Sequence, residues 1–551
     1  MKNFWRTIKQ YVHKTFIFET LLFGVWSIFT IIRAWFIFGR IPESKKVNGP
    51  KILIFSVRAF PVPGLIYFET VFGHAFRLLG ARPMLIFHDG ILNLTDAQTI
   101  CRSEHPQMIV SKLLGGLMKR ALRLPTLSYR SYIKKKEIEE IRNNVERIAP
   151  KNLRDYKYLG VNVGIHAFNS TIRYFLAGKL NFGDATQVRI FRGMLMNAIL
   201  STLIAKRVRE KEKPDTLFLM HGVYSTWGPF YEYFRNQGTQ TILHSSMPLK
   251  FGYFTFNRNS KVTELVSNEE WERFRKKPLT QKEDGAITEY FAIRTQGMAN
   301  DQEFYKRNFE HTDKKRELLQ ALQKKSYTRR YVMYPNLAWD VAIEGEISTI
   351  FKDAFDWIDT TIEYFKKHPE YQLIIKPHPA ELVWERCTKS IDSYILATHG
   401  TLPQNITLLP NSTPLNAYDL IDKNTIAAVF NGTLGFELAI LGVPIIVCAK
   451  RVHYNQAGAA FPLASRQEYL QTLENPQKLI AFIKQNQPLI RKYAYFHYVK
   501  SMIRIPFYRS DIWTTIDWRV MQNTKKLFAS DSVIMKVSKR IINHEDIFNP
   551  L

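Results

Sequence analysis

The sequence predicts an α/β protein of two similar-sized domains. Each is a parallel sheet with helices on its faces, and an apolar helical segment precedes them. Three observations carry this. Short aliphatic and β-branched runs bounded by Gly, Pro and Asp alternate with helical patterns. The alternation occurs once after residue 50 and again after residue 330. The 551 residues are too many for one compact core. Hydrophobic residues make up 46% and charged residues 23%, which excludes a mostly disordered chain, a collagen-like repeat and a multi-pass membrane protein.

Residues 1–45 form the first element. Lys2, Arg6, Lys9 and Lys14 precede an apolar run from Phe16 to Phe38 that only Glu19 and Arg33 interrupt. A secretory signal would have a shorter apolar core and a small-residue cleavage site. The unbroken piece, Thr20 to Ile32, falls short of the roughly 20 apolar residues of a spanning helix, although Arg33 can snorkel. The expectation is an amphipathic or re-entrant anchor on an anionic membrane face. The alternative is a long apolar helix packed on the protein's own body.

Residues 46–255 read as the N-terminal Rossmann-like domain. Lys51–Val57 is a buried strand, residues 66–80 are a helix stopping at Gly80, and Pro83–Phe87 is a second strand. Strand, helix, strand at this spacing is a βαβ unit. Residues 112–148 have a basic helical pattern. Thr216–Met220 and Thr241–Leu243 are further strands, with a helix between them that stops at Gly238.

Residues 256–328 are charged, lack strand runs and read as a helical connecting region. In the C-terminal Rossmann-like domain, 329–480, the strands are Tyr331–Tyr334, Gln372–Lys376, Ile426–Phe430 and Ile445–Cys448, with a helix near 350–367. Residues 481–551 are expected to cross back as helices. Two lobes and a connector imply a bilobal enzyme with a central cleft, its ligand lying beyond the carboxyl ends of the strands.

Lysine and arginine number 77 against 49 acids, a formal charge of +28, so a polyanionic partner is expected. Cys101, Cys387 and Cys448 are widely spaced, form no CxxC pair and fit a reducing compartment. No metal-ligand spacing and no nucleic-acid module is present. The expectation is no metal, no cofactor and no nucleic-acid partner.

The chemistry is sought just after strands. Lys376-Pro377-His378-Pro379, with Glu381, directly follows one. The prolines stiffen the turn, and an imidazole held there can hydrogen-bond a phosphate or protonate a leaving group. Asn431-Gly432-Thr433 and Glu437 lie between a strand and a helix, where Thr433 can cap the helix and the free N–H groups can face an anion. Asp89, after the second strand, can serve as base on an acceptor hydroxyl or merely form an Asp-Gly turn. His221 occupies a similar strand end. Asn336 and Asp340 follow the first strand of the second domain. Arg58 and Glu69 follow the first strand of the chain. Lys450 and Arg451, with His453 and Tyr454, follow the last strand, as a phosphate contact or a solvated basic loop.

A strand ending in KPHPAE (376–381), another ending in NGTLGFELAILGVPII (431–446), and a Tyr- and Gly-containing loop resemble bacterial capsule polysaccharide biosynthesis proteins. That family includes Kdo transferases and is similar in plan to CMP-sialic acid transferases. The resemblance spans about 330–470 closely and 50–250 loosely. It implies the GT-B fold, two facing Rossmann-like domains with the donor mostly on the C-terminal one. His378 and Pro379 match the family's His-Pro motif, whose histidine contacts the donor phosphate. Asn431, Thr433 and Glu437 match an Asn-Ser-Thr…Glu element that holds phosphate or a sugar carboxylate. Gly432 stands where a Ser is common, so one hydroxyl is lost. Asp89 is similar to the acid of the related sialyltransferases' Asp-Gly motif. His453, Tyr454 and Gly458 resemble the Tyr…Gly stretch.

The resulting expectation is a metal-independent glycosyltransferase of capsule or related surface polysaccharide synthesis, with a nucleotide sugar as substrate. A CMP donor carrying Kdo or another acidic sugar is favoured. The acceptor is a glycan or lipid-linked glycan, and the base is one of Asp89, Glu69 and Asp340. The expected location is the cytoplasmic face of the bacterial inner membrane, among other capsule assembly proteins. A CDP-glycerol-type polyol-phosphate transferase and a non-catalytic polysaccharide- or membrane-binding subunit are the alternatives.

Overall fold

The computed structural model describes residues 16–43, 48–56, 63–88, 90–92, 94, 105–247, 250–260, 267–300, 302, 306, 308–323, 326–335, 337, 339, 350–383, 390–449, 452–511 and 515–548. Among them the strands are β1 (Lys51–Phe55), β2 (Arg82–Phe87), β3 (Thr126–Ser128), β4 (Thr216–Met220), β5 (Gln240–Ser246), β6 (Tyr253–Arg258), β7 (Arg329–Tyr334), β8 (Tyr371–Ile375), β9 (Ile406–Leu408), β10 (Thr425–Val429), β11 (Ile445–Val447) and β12 (Ile503–Arg504). The helices that matter below are α1 (Phe16–Phe38), α2 (Pro63–Leu78), α3 (His105–Ala121), α4 (Ala185–Glu212), α5 (Gln281–Thr295), α6 (Asp313–Gln323), α7 (Ala354–Lys367), α8 (Ile391–His399), α9 (Thr433–Ile440), α10 (Gln477–Tyr495) and α11 (Val533–Ile542). Arg58, Asp89, Asn336, Asp340, Lys450 and Arg451 lie outside the described residues.

The chain forms two compact units. Unit 1 is Met1–Tyr174, Asn181–Val262 and Met502–Leu551; unit 2 is Phe175–Leu180 and Thr263–Ser501. Both are α/β with a parallel sheet, the class the sequence predicts. In unit 1 the strand order is β12-β6-β5-β4-β1-β2-β3, with β1 to β5 parallel and β6 and β12 added antiparallel at one edge. In unit 2 it is β11-β10-β7-β8-β9, all parallel. Read in chain order, both parallel sets run 3-2-1-4-5, the doubly wound Rossmann arrangement. Its switch point lies between β1 and β4 in one unit and between β7 and β10 in the other.

Ile52, Leu53, Ile54 and Phe55 of β1 are all fully buried. A central parallel strand is covered on both faces, hence its unbroken apolar run. Beneath it α2 buries Tyr67, Phe68, Val71, Phe72 and Phe76 in the core of unit 1. The longest helix, α4, is mostly buried in the same unit, and Asp184 caps it by accepting the N–H groups of Thr186 and Gln187. By length and composition α4 could cross a membrane, but its burial makes it a core helix.

Several expectations change. The basic helical stretch at 112–148 is broken by β3, because Pro125 ends helical pairing and its carbonyl instead accepts the Leu85 N–H. The region expected to connect two domains contributes α5 and α6 to unit 2. The return to unit 1 begins at Met502 rather than near 481, and α10 stays with unit 2. The segment is only partly helical: β12 pairs with β6, and α11 buries Ile534, Val537 and Ile541 in the unit 1 core. The N-terminal helix is present as α1. It packs along α3 and is tied to α2 at Tyr67: Phe38 stacks on Tyr67 at 5.5 Å between ring centroids, and the Tyr67 hydroxyl donates to the Thr30 carbonyl at 2.6 Å.

Candidate functional site

In unit 2 the Lys376–Pro379 turn leaves the carboxyl end of β8. The Lys376 N–H continues the ladder to the Met333 carbonyl at 2.9 Å, which fixes where the turn starts. The Lys376 side chain is buried. Burial pulls its ammonium down to about 8, against the opposing pull of the nearby Asp419 carboxylate. His378 is half-buried, and its Nδ1 lies 3.1 Å from the Ala380 N–H. An N–H pointing at Nδ1 makes that nitrogen an acceptor and assigns the ring proton to Nε2. Burial, with the Lys376 charge beside it, pulls the imidazole down to about 4. At neutral pH His378 is therefore a neutral hydrogen-bond donor through Nε2–H. The imidazolium that would protonate a leaving group is not populated. Pro379, also half-buried, leads into the short helix Ala380–Val383.

Glu381 turns inward. Its Oε2 accepts the Ile391 N–H at 3.2 Å and the Asn411 amide at 2.9 Å, so it holds the first residue of α8. Burial raises its carboxyl to about 7.

The second motif leaves β10. Asn431 is buried, Gly432 is half-buried and Thr433 is exposed. Gly432, not Thr433, is the N-cap of α9, and no side chain caps it. The shift by one residue makes Thr433 the first helical residue. Tyr454, fully buried, donates its hydroxyl to the Gly432 carbonyl. A Cβ at Gly435 would come within 2.6 Å of that hydroxyl and of Val429, so glycine is required there. Glu437 is buried beneath α9. Its Oε2 meets Arg294 Nε of α5 at 2.9 Å and accepts the Tyr418 hydroxyl at 2.6 Å. Its charge is neutralised where it stands.

A polar turn at Asn416–Leu420 links these parts. The Tyr334 hydroxyl at the end of β7 donates to the Ala417 carbonyl at 2.6 Å, and Tyr418 reaches Glu437. Asp419 accepts from Lys315 Nζ of α6 at 2.9 Å and from the Asn416 N–H at 2.7 Å, and it lies beside Lys376. The switch-point strands β7 and β10, with β8 next to β7, thus end in one connected polar layer. Arg294, Lys315, Tyr418 and Asp419 are the residues the sequence reading missed. The signal was faint: cations in a region read as solvated helices, and a polar turn between Pro414 and β10.

In unit 1, His221 follows β4 with φ +25°, beside Gly222 at +65°. A non-glycine residue at positive φ stores backbone strain, here at the switch point. The His221 N–H donates to the His244 carbonyl at 3.2 Å, and its ring stands 4.8 Å from that of Trp227. Glu69 of α2 is fully buried, with Oε1 3.5 Å from His244 Nε2. Burial raises the Glu69 carboxyl to about 8, with the Ser56 hydroxyl pulling the other way, and lowers His244 to about 3. Both are uncharged at neutral pH. Glu69 is a neutral acid sealed in the core of unit 1 in this state. After β2, His88 repeats the His378 geometry: its Nδ1 accepts the Gly90 N–H at 3.0 Å.

Among the described residues no group of three or more His, Cys, Asp or Glu side chains could hold a metal ion. A hollow of about 530 Å³ lined by Arg130, Tyr132, Lys134, Arg207 and Lys211 shares no residue with either cluster.

No family model matches the sequence, and no curated protein matches it. Solved structures similar to it include an α,α-trehalose 6-phosphate synthase from Burkholderia multivorans, with 11% identity, 90% of this chain and 100% of that one covered, and a TM-score of 0.31. A UDP-GlcNAc 2-epimerase from Neisseria meningitidis bound to UDP-GlcNAc has 12% identity, coverages of 82% and 98%, and a TM-score of 0.24. The glycosyltransferase SnogD from Streptomyces nogalater has 9%, 82% and 99%, and 0.23. Likeness at these values carries no weight beside the strand order itself.

Proposed function

We propose that the chain is a GT-B-type glycosyltransferase that binds a nucleotide-activated sugar in unit 2 and a glycan or lipid-linked glycan acceptor through unit 1. One observation carries the reading. The KPHP and NGT motifs of unit 2 both follow carboxyl ends of strands that flank β7, at the switch point of a Rossmann-ordered sheet.

The step such a site must help is departure of a nucleotide phosphate. The His378 Nε2–H supplies a hydrogen bond to a phosphate oxygen, and Lys376 supplies positive charge. The uncapped N–H groups of α9 add a preorganised dipole. A nucleotide phosphate leaves without being protonated, so a neutral imidazole suffices.

The finer reading is a CMP donor carrying an acidic sugar, Kdo foremost, in capsule or related surface polysaccharide synthesis. The resemblance of residues 376–381 and 431–446 to that family supports it.

The test is a thermal-shift series of the full chain with CMP, CDP, UDP, GDP and their sugars, since a ligand of the folded state raises the melting temperature. Selective stabilisation by CMP, lost in His378→Ala, supports the full reading. A preference for UDP or GDP keeps the transferase and discards Kdo. No response from the folded protein leaves the non-catalytic binding subunit. A phosphodiester product selects the polyol-phosphate transferase.

A further inference from the structure

The polarity of α1 is inverted. Leu21, Leu22, Val25, Trp26, Ile28, Phe29, Ile32, Trp35 and Phe36 point outward, and Phe29 is 58% exposed. Up to Ala34 the side chains buried against the protein are Ser27 at 1%, Thr30 at 4% and the small Ala34, and only Ile37 and Phe38, at the helix end, bury large apolar groups. A helix resting on a water-soluble domain does the reverse, burying its large apolar residues and exposing polar ones. Apolar residues outward with small and polar residues inward is the arrangement a helix adopts when its outer medium is hydrocarbon.

Beside it lies α3. Its Met118 and Ala121, with Leu122 just past its end, share the unit 1 core with Ala34, Ile37 and Phe38 of α1. Its outer face carries Leu113, 73% exposed, and Leu117, one helical turn apart, and these two are bracketed by Lys112 and Arg120. Arg123, just past the helix, stands over the Trp35 ring at 5.8 Å. Arg33, the cation that interrupts the apolar run, stacks on Trp518 at 4.5 Å. It is anchored to the protein rather than reaching for a far headgroup layer.

We propose that the outward faces of α1 and α3 together seat unit 1 in one leaflet of an anionic membrane, lying in the interface without crossing it. Two features select this occupant. One is the inverted polarity, which a protein partner does not require. The other is the charge: Lys112, Arg120 and Arg123 border the apolar face of a chain with net charge +28, matching anionic headgroups. Because α1 is packed along α3 and tied to Tyr67 of α2 through Thr30 and Phe38, it lies on unit 1 in the plane of the interface. The inference goes beyond the nucleotide-sugar reading and stands independently of it.

The experiment is flotation of the full chain with vesicles of phosphatidylcholine alone and of phosphatidylcholine mixed with phosphatidylglycerol. The wild type should float with the mixed vesicles. The α3 variant Leu113→Glu/Leu117→Glu should lose about tenfold or more in affinity while keeping its melting temperature, because both side chains are already exposed. Lys112→Glu/Arg120→Glu should lose a similar factor on mixed vesicles and little on neutral ones. Wild-type flotation of the leucine variant would overturn the role of α3. Failure of the wild type to float, with a dimer in solution that the leucine variant dissolves, would hand the surface to a second copy. Alkaline carbonate extraction should release the wild type from membranes, and resistance to it would mean a spanning helix and overturn the in-plane arrangement.

Discussion

The Nδ1 of His378 accepts the backbone N–H of Ala380 at 3.1 Å, and this one bond decides what the imidazole can do. It places the proton on Nε2, and burial keeps the ring neutral down to a pH of about 4. His378→Ala should lower transfer by roughly 10²–10³ with the fold intact, the usual loss when one preorganised donor is removed. His378→Gln, which retains an N–H donor, should recover part of it. The wild-type rate should show no inflection near pH 6.5. Steady-state transfer assays from pH 5 to 8 check this, and an alanine variant of near-normal rate would end the assignment.

Lys376 titrates at about 8 in the folded protein. Donor affinity should therefore be level below that pH and fall about tenfold per pH unit above it, as the cation facing phosphate is lost. Lys376→Arg should hold its affinity in that range, and Lys376→Met should be weak and flat throughout. The effect on folding has the opposite sign. Between about 8 and the ordinary value of 10.5 the unfolded chain binds more protons, so this group's contribution to stability rises with pH there. Calorimetric titration with nucleotide at several pH values separates the two.

The Arg294–Glu437 pair predicts a structural cost. Glu437→Leu leaves a buried guanidinium without its carboxylate, at about 3–5 kcal/mol. Arg294→Leu/Glu437→Leu removes both charges and should be more stable than the single variant. Urea unfolding measures this. A single variant that loses activity but no stability would instead place Glu437 against the substrate.

Glu69 gives a pH signature. Its folded pKa of about 8 exceeds the ordinary 4.5, so the folded state keeps a proton that the unfolded chain has released. That contribution is fully present below about 4.5 and is lost as pH rises through 8. Glu69→Gln should remove the loss and gain on the wild type toward alkaline pH, by up to about 5 kcal/mol at pH 8. His244 acts oppositely: its contribution is present above 6.5 and lost as pH falls toward 3. Melting temperatures of both proteins across pH 4–9 provide the comparison, and parallel curves would refute the buried-acid assignment.

The parallel strands were legible because burial on both faces leaves runs such as KILIF and IAAVF with no polar interruption. Strands β3, β9 and β12 escaped because two or three residues carry no period; the equally short β11 was legible only through the Gly442-Val443-Pro444 turn before its all-aliphatic run. Strand β6 escaped because Asn257 and Arg258 of YFTFNR break the apolar run, although both are buried. The motif turns stood out through their Pro, Gly and His residues. Arg294 and Lys315 did not, because a cation folded inward on a carboxylate reads in sequence like one in water. Only the three-dimensional placement of Glu437 and Asp419 tells them apart. The outward face of α3 was hidden for a similar reason, since Leu113 and Leu117 look like ordinary core positions beside lysines.

The discontinuity of unit 1 also bears on how the protein is made. As the chain leaves the ribosome, β6 is finished some 250 residues before β12 arrives to pair with it, and α2 waits longer still for α11. Unit 2, apart from the short piece at 175–180, is synthesised without a break and can close first. During that interval the nascent unit 1 presents an open sheet edge and an uncovered apolar helix face, both invitations to aggregation. Its completion waits for the segment that starts at Met502, after the whole of unit 2. Termination before Met502 would leave unit 2 intact and unit 1 unfinished.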